Sequence, residues 1–339
     1  MNSASVSCPS SLEAKVSETR ARVAVCIGTF RRRELLRNLL AGLACLTFRG
    51  VSPPEIEIIV IDNDPSASAK EICESVTLPH SIRYVVEPRR GIAYVRNRAL
   101  AEAKGANFIA FIDDDEVPSE GWLDELLVAS EIFAADIVSG PVLPRYAPGV
   151  AEWVKRGGFF DRPNFDTGTF LECCSTNNVL LRSEVLNVVP RFDDRFQLTG
   201  GEDTQFFSRV HRAGGKIVWC REAIAHETVP KERATLEWIL RRGYQSGNSW
   251  VLSEMSVNKG LRVQMKRLLK ACAHMLIGGT NALLSVCFAK IAFTKALRRM
   301  CLGAGMLSGL AGRKFLAYRS TAAADGIDSS PEFVEHVSP

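Results

Sequence analysis

Short apolar runs alternate with longer amphipathic stretches over the first half of the chain. The apolar runs are RVAVCIG from Arg22, EIEIIVID, IRYVVE at 82–87 and NFIAFIDDD, and segments such as RRRELLRNLLAGLACL between them have helical spacing. Strands that are rich in Val and Ile throughout are typical of a parallel sheet covered on both faces. The pattern therefore predicts an α/β fold with a mostly parallel central sheet flanked by helices.

The chain of 339 residues is long enough for one large α/β domain and an appendage. Residues 1–20 are polar and Ser-rich, without the apolar stretch of a secretory signal, and we predict that they form a disordered lead-in. We expect the α/β domain to span residues 21–255, followed by a basic, apolar helical region over 256–320. A disordered tail is predicted for residues 321–339.

The net charge of +4 conceals an uneven distribution of charge. Residues 255–324 contain twelve Lys or Arg and no Asp or Glu, which leaves the remainder with 30 basic and 38 acidic residues, or −8. A nucleic-acid-binding protein usually carries its positive charge on the folded domain, whereas here the charge lies in an apolar, Gly-rich segment. The distribution favours an anionic membrane surface as partner and argues against nucleic acid.

Polar residues follow the predicted strands directly, where ligands of open α/β sheets bind. Asp113 and Asp115 are two apart in what reads as an extended segment, which predicts that their side chains share one side and that Asp114 points away. Two converging carboxylates suit a hard cation such as Mg²⁺ or Mn²⁺. The alternative is a solvated acidic helix cap before Pro118.

Two further acidic segments allow two interpretations each. Asp62-Asn63-Asp64 ends the second strand and can hydrogen-bond a base or ribose, although an Asx turn before Pro65 explains it equally well. Glu202 and Asp203 follow two glycines and precede an amphipathic helix. One interpretation is structural, because the helix dipole favours acidic residues at the start of a helix. The other is that one of the two carboxylates acts as a general base.

The order of four segments resembles glycosyltransferase family 2, which has the GT-A fold. These segments are IVIDND, EPRRGIAYVRNRAL, FIDDDEVP and GGEDTQF, and the resemblance covers roughly residues 22–250. It is closest to exopolysaccharide transferases of the succinoglycan type.

The resemblance implies roles for individual residues. Asp203 is similar to the family's catalytic base, with Glu202 beside it in the acceptor site. Asp113 and Asp115 resemble the DxD motif, Asp113 facing ribose and metal and Asp115 binding the metal, and His226 follows the last strand where a further metal ligand can occur. The residues that would bind the donor are Thr29, Arg31, Asp62, Asp64, Gly91, Arg96, Asn97 and Asp113.

The implied reaction is transfer of one hexose from a UDP-sugar to a lipid-linked oligosaccharide, with inversion and with Mg²⁺ or Mn²⁺ as cofactor. The Q/RxxRW signature of processive synthases is absent around Trp238, which favours a single addition. A nicotinamide-dependent dehydrogenase is disfavoured, because the first strand runs into GTFRRRE without GxGxxG. A noncatalytic, membrane-associated nucleotide-sugar binding protein stays as the alternative.

The C-terminal part of the sequence indicates contact with a membrane. Arg241 and Arg242 can bind an acceptor diphosphate through charge-assisted hydrogen bonds, and the alternative is an ordinary basic helix end. Residues 271–289 approach the length of a spanning helix, but their polar residues and basic flanks favour helices lying in the interface. A helical subdomain packed on the catalytic domain is the alternative.

Ten scattered cysteines without a CxxC pair indicate a reducing compartment. Together with the basic, apolar C-terminal region, they lead us to expect a peripheral protein at the cytoplasmic face of a bacterial inner membrane.

Overall fold

The computed structural model describes residues 20–286, 289–316 and 333–334. Except for residues 20, 333 and 334, the predicted lead-in over 1–20 and the predicted tail over 321–339 lie outside these ranges. Both therefore stay predictions.

Strands and helices alternate through the first half of the chain, as the hydrophobic pattern predicts. The elements are β1 (Arg22–Thr29), α1 (Arg33–Ala44), β2 (Glu55–Asp62), α2 (Lys70–Ser75), β3 (Ser81–Val86), α3 (Ile92–Glu102), β4 (Phe108–Ile112), β5 (Glu116–Pro118) and α4 (Trp122–Ile132).

Strands in the second half are shorter, and three long helices follow them. The elements are β6 (Ile137–Ser139), β7 (Val142–Tyr146), α5 (Glu152–Gly157), β8 (Phe170–Leu171), β9 (Asn178–Arg182), 3₁₀ turns at Ser183–Asn187 and Asp194–Phe196, α6 (Glu202–Arg212), β10 (Ile217–Trp219), β11 (Ala225–Val229), α7 (Leu236–Val257), α8 (Leu261–Ser285), α9 (Lys290–Leu310), β12 (Lys314–Phe315) and β13 (Phe333–Val334).

The main sheet has eight strands in the order β3-β2-β1-β4-β9-β6-β10-β8. Strands β3, β2, β1 and β4 are mutually parallel, β9 is antiparallel to both of its neighbours, and β6 runs parallel to β10. Alternate residues of β1 enter two cores: Val25 packs in the cluster that contains Leu36 of α1, and Cys26 packs in the cluster that contains Ala99 of α3. The prediction of a mostly parallel sheet between helices is confirmed.

A second, three-stranded sheet lies beyond the end of β4. Strand β11 pairs antiparallel with β5 and parallel with β7, and the Thr228 amide donates to the Asp115 carbonyl at 2.9 Å. The Ser119 amide also donates to the Ile224 carbonyl at 2.9 Å, and α4 begins three residues later, at Trp122. This pairing carries residues 226–229 to the aspartates that follow β4.

The last three helices form a packed subdomain in which α9 contacts both α7 and α8. Glycines allow close approach of the backbones: a Cβ on Gly247 would collide with the Leu302 carbonyl, and one on Gly305 would collide with the Tyr244 carbonyl. Arg267 of α8 is buried and forms an ion pair with Glu254 of α7. The packed helical subdomain is therefore the arrangement observed. Among the described residues, no helix combines the length and apolarity needed to cross a bilayer.

Substitution of Gly305 tests whether this close packing holds the helices together. Gly305→Ala places a methyl group against the Tyr244 carbonyl, and we expect a loss of about 1–3 kcal/mol in the free energy of unfolding. Gly279→Ala is the matched control, because that helical position has no neighbour within 4 Å and alanine favours a helix by up to about 1 kcal/mol. Urea denaturation measures both. Equal effects of the two substitutions would contradict the close approach of α7 and α9.

Candidate active site

A cleft of about 690 Å³ opens at the carboxyl ends of β1, β2 and β4. Its lining combines residues of the main sheet, of the second sheet and of the helical subdomain. Its charged members are Arg32, Arg90, Arg96, Asp113, Asp114, Asp115, Asp161, Arg162, Glu227, Arg233, Arg241, Arg242 and Arg298. Such a position, at the ends of parallel strands, is where α/β folds bind ligands.

The three consecutive aspartates form the centre of the cleft and adopt a turn. Strand β4 ends at Ile112, and the Glu116 amide donates to the Asp113 carbonyl at 3.1 Å. The prediction that Asp114 points away was wrong, because it assumed an extended segment. In the turn all three aspartates line the cleft, and the Thr29 hydroxyl donates to Asp114 Oδ2 at 2.8 Å.

Arginines from distant segments surround these carboxylates. Arg32 Nη1 lies 2.9 Å from Asp114 Oδ1 and 3.4 Å from Asp115 Oδ2. Arg233 Nη1 lies 2.9 Å from the same Asp115 oxygen and 3.1 Å from Glu227 Oε1. Arg162 Nη2 contacts the other Glu227 oxygen at 2.6 Å. The charges alternate in sign along this chain of contacts, which stabilises carboxylates held close together in a poorly solvated place.

Burial shifts the pKa of several carboxyl groups of the turn, among them Asp113 and Glu116. Desolvation is the main cause that raises the pKa of Asp113 to about 6, although its side chain keeps some contact with solvent. Burial, followed by the charge of Asp113, raises the pKa of Glu116 well above its ordinary value. The Asp113 amide and the Asn177 side-chain amide donate to Glu116. Glu116 therefore holds the turn in shape.

The oxygen-rich turn has the chemistry that a divalent cation requires. Mg²⁺ is commonly held by one or two carboxylates together with phosphate oxygens of a substrate, and Asp113 and Asp115 offer two carboxylates in one cleft. Among the described residues, no group of three or more His, Cys, Asp or Glu side chains is arranged to hold a metal.

The predicted donor-binding residues fall into two groups. Thr29, Gly91, Arg96 and Asp113 line the cleft. Arg31, Asp62, Asp64 and Asn97 are not among the lining residues within the described structure, and they bind other parts of the protein. Whether the second group contacts the donor stays a prediction.

Asp62 and Asp64 organise the loop after β2. The fully buried Asp62 accepts hydrogen bonds from the Ala69 amide and from the Tyr84 hydroxyl, each at 2.8 Å. Arg31 Nε donates to Asp64 at 2.8 Å, and this hydrogen bond is the main cause that lowers the Asp64 pKa to about 2. Of the segment Asp62-Asn63-Asp64, the loop presents Asn63 to the cleft.

Asn97 and Gly91 position the neighbouring backbone. The Asn97 side chain exchanges hydrogen bonds with the Phe192 backbone, at 3.0 and 2.8 Å. Gly91 has φ of 143°, a conformation that favours glycine, and its amide donates to Asn63 Oδ1 at 3.0 Å. Both residues thereby shape the wall that Arg96 and Val95 complete.

The Glu202 and Asp203 pair begins α6, and the two side chains have different environments. Glu202 is buried and forms an ion pair with Arg96, which itself lines the cleft. Asp203 is more exposed, and its Oδ1 accepts a hydrogen bond from the Thr204 amide at 2.6 Å. Neither residue is among the cleft-lining residues of the described structure. Glu202 reaches the cleft through Arg96, whereas the role of Asp203 as base stays a prediction.

His226 does not line the described part of the cleft, although its neighbour Glu227 does. Successive side chains of a strand point to opposite faces, and Glu227 faces the arginines of the cleft. His226 lies opposite Val117 in the pairing of β11 with β5. Its role as a metal ligand stays a prediction, and Glu227 is the acidic residue that β11 supplies to the cleft.

The helical subdomain closes one end of the cleft. Arg241 and Arg242 of α7 line it, together with Trp238, Arg298 of α9 and Phe315, and the predicted contact of the two arginines with an acceptor diphosphate stays a prediction. Sequence reasoning passed over Arg32, Arg233 and Arg298. Arg32 belongs to a run of three arginines that begins two residues after β1, which is a usable signal, whereas Arg233 and Arg298 are brought in only by tertiary packing.

Comparison with known proteins shows the family to which this chain belongs. A model described as Glycosyl transferase family 2 matches residues 24–188. The succinoglycan biosynthesis protein ExoM of Rhizobium meliloti is 33% identical over 308 residues, which cover 86% of this chain and 93% of that protein. The chain belongs to glycosyltransferase family 2. The family prediction is confirmed, and the protein is a glycosyltransferase related to those of exopolysaccharide biosynthesis.

More distant relatives agree with this assignment. Glycosyltransferase AglE of Haloferax volcanii is 22% identical over 246 residues, covering 72% of this chain and 79% of that protein. Among solved structures, S. aureus TarS 1-349 in complex with UDP superposes with a TM-score of 0.50 at 14% identity, covering 86% and 92% of the two chains. GalNAc-T7 with UDP, GalNAc and Mn²⁺ gives a TM-score of 0.51 at 12% identity, covering 69% and 51%. At such identities the two structures support the fold alone.

The difference between Glu202 and Asp203 can be tested through stability. Glu202→Gln leaves the Arg96 guanidinium buried without its counter-ion, and we expect a loss of about 3 kcal/mol in the free energy of unfolding. Asp203→Asn keeps a side-chain acceptor for the Thr204 amide and should change it by less than about 0.5 kcal/mol. Urea denaturation of both variants measures the two values. A Glu202→Gln protein as stable as the parent would mean that the ion pair with Arg96 has no structural role.

Proposed function

We propose that this family 2 glycosyltransferase adds a single hexose from a UDP-sugar to a hydroxyl of a lipid-linked oligosaccharide, in the synthesis of a bacterial exopolysaccharide or cell-surface glycan. The observation that carries the proposal is the aspartate turn at residues 113–115, which lies in a cleft walled by arginines at the carboxyl ends of the parallel strands. Such a site offers oxygens for a cation and positive charge for a diphosphate. ExoM, a protein of succinoglycan biosynthesis, supports the exopolysaccharide context.

The donor end of the cleft would hold the nucleoside diphosphate. Thr29, Asn63, Gly91 and Arg96 line this end beside the aspartate turn. Asp113 and Asp115 would hold Mg²⁺ or Mn²⁺ together with the diphosphate, and the ion would neutralise charge on the departing UDP. Arg32 and Arg233 form ion pairs with Asp115 and hold its carboxylate in the orientation that faces the cleft.

The transfer would proceed in one displacement with inversion. The acceptor hydroxyl oxygen forms a bond to the anomeric carbon while the bond from that carbon to the diphosphate oxygen breaks and UDP departs. Asp203 accepts the proton of the attacking hydroxyl, so an α-linked donor gives a β-linkage. The ion pair of Glu202 with Arg96 ties the start of α6 to the cleft wall and thereby positions Asp203.

Substitution of Asp203 tests this assignment. Asp203→Asn should lower turnover by about 10²-fold or more and leave the affinity for the UDP-sugar within a few fold, because the base acts on the acceptor and not on the donor. A panel of UDP-sugars, bacterial membrane lipids as acceptor and mass spectrometry of the product provide the measurement. Asp166→Asn, at an exposed carboxylate outside the cleft, is the matched control.

Three results would contradict the proposal. Undiminished turnover of Asp203→Asn removes the base assignment, and a ladder of products removes the single addition. UDP-sugar binding without any transfer or hydrolysis, across the panel, would favour a binding protein over an enzyme.

We further propose that the protein works as a peripheral protein at the cytoplasmic face of the inner membrane, which it contacts through α8. This helix of 25 residues exposes large apolar side chains at helical spacing, among them Leu261, Leu276 and Leu283, which are 73%, 70% and 79% exposed. Exposed Arg262, Lys266 and Lys270 adjoin them in its first half. Apolar residues beside cations favour an anionic lipid surface.

Vesicle sedimentation tests the contact. The full chain should bind vesicles containing phosphatidylglycerol more than neutral vesicles, and high salt should weaken this binding. Leu276→Gln combined with Leu283→Gln should lower it by about tenfold or more, since each leucine contributes about 1.5–3 kcal/mol when buried. Ile132→Gln on α4, at a residue that is also 70% exposed, is the matched control. Binding that is equal for the parent and the double variant would contradict a role for α8.

A further inference from the structure

Three arginines lie close together at the end of the cleft that the helical subdomain forms. Arg241 and Arg242 come from α7 and Arg298 comes from α9, and all three line the cleft. Arg242 Nη1 donates to Gln245 at 3.2 Å, and the Arg241 guanidinium lies 5.6 Å from the centroid of the Phe315 ring. In the part of the chain that the structure describes, no carboxylate forms an ion pair with any of the three.

The rest of the cleft has a different charge balance. Arg32, Arg96, Arg162 and Arg233 each form an ion pair with a carboxylate. Arg90 lies on the ring of Phe30 and belongs to the donor end. The positive charge at the subdomain end is therefore uncompensated by the protein itself. Burial, with the nearby Arg242 charge as the second cause, lowers the Arg298 pKa, as expected for guanidinium groups held together without an anion.

Close helix packing and backbone hydrogen bonds surround these arginines. Gly243 of α7 faces the Arg298 carbonyl, at 3.0 Å from where a Cβ would lie, so the two helices hold Arg242 and Arg298 side by side. The fully buried Asn248 accepts a hydrogen bond from the Phe315 amide at 3.0 Å and donates to the Arg313 carbonyl at 2.8 Å. The segment that carries Phe315 is thereby fixed on α7. Preorganised donors lose little freedom when they bind a ligand.

We propose that Arg241, Arg242 and Arg298 bind the phosphate or diphosphate group of the acceptor, an inference that rests on the proposed transfer to a lipid-linked oligosaccharide. Guanidinium groups match phosphate oxygens in geometry and charge. The donor diphosphate belongs at the aspartate turn, which leaves this second group of cations for the other substrate. Trp238 and Phe315 line the same end and offer apolar contact to the first units of a lipid chain.

Binding of two probes in the presence of saturating UDP tests the proposal. The probes are geranyl diphosphate, which stands for a lipid diphosphate, and glycerophosphoglycerol, which stands for a phosphodiester in a glycan. At least one should bind the parent protein, and its identity tells which source of phosphate the site accepts. Arg298→Gln should weaken that binding by about tenfold or more, as loss of a charged hydrogen-bond donor does, while UDP affinity changes by less than about twofold.

Arg299→Gln is the matched control on the next residue of α9. Arg299 Nε donates to His274 Nδ1 at 3.3 Å and is not among the described lining residues of the cleft, so its removal should leave both affinities unchanged. With a lipid acceptor, Arg298→Gln should raise the acceptor KM and leave the donor KM unaltered.

Three outcomes would overturn the inference. Failure of both probes to bind alongside UDP means that the cleft has one anion site only. Equal probe affinity of the parent and Arg298→Gln removes the arginine cluster from recognition, and an equal loss of UDP affinity assigns the cluster to the donor. Failure of the proposed function is recognised separately, because the parent protein would then either not bind UDP or bind UDP-sugars without transferring or hydrolysing them.

Discussion

Charge compensation at the end of β4 is the constraint on which the rest of the structure depends. Three consecutive aspartates in a turn repel one another, and desolvation makes each charge more costly. Arg32, which follows β1, and Arg233, which follows β11, lie against these carboxylates and offset the repulsion. The two segments are about 200 positions apart in the sequence. The network therefore joins the parallel sheet to the second sheet at the site where the donor is proposed to bind.

The helical subdomain contributes directly to this cleft. Glycines on α7 and α9 bring the two helix backbones together, and the buried pair of Arg267 with Glu254 joins α8 to α7. Arg298 and Phe315 reach the cleft as a result. One side of the subdomain thus lines the site, while the exposed apolar side of α8 is the surface that we propose contacts lipid. In our account, the same subdomain brings the enzyme and a lipid-linked acceptor together.

The sequence was most informative where the chemistry is local. The Val- and Ile-rich runs predicted the parallel strands, and four ordered segments predicted the family, because both are properties of short stretches of chain. It was misleading at Asp114, since the end of β4 at Ile112 is set by hydrogen bonds that sequence periodicity does not reveal. It did not indicate Arg233 or Arg298 as site residues, because only the pairing of β11 with β5 and the packing of α9 on α7 bring them to the cleft. The basic residues of the C-terminal region likewise have different environments in the folded protein: Arg267 is buried, Arg298 lines the cleft and Lys266 is exposed.

Calorimetric titration with UDP tests the central claim most directly, namely that the aspartate turn is the site of a cation and a nucleoside diphosphate. The account predicts saturable binding of UDP that Mn²⁺ strengthens by about tenfold, within the usual range for coupled ligands. In Asp115→Ala the effect of Mn²⁺ should disappear. Absence of UDP binding to the parent protein, or an undiminished Mn²⁺ effect in Asp115→Ala, would contradict the account.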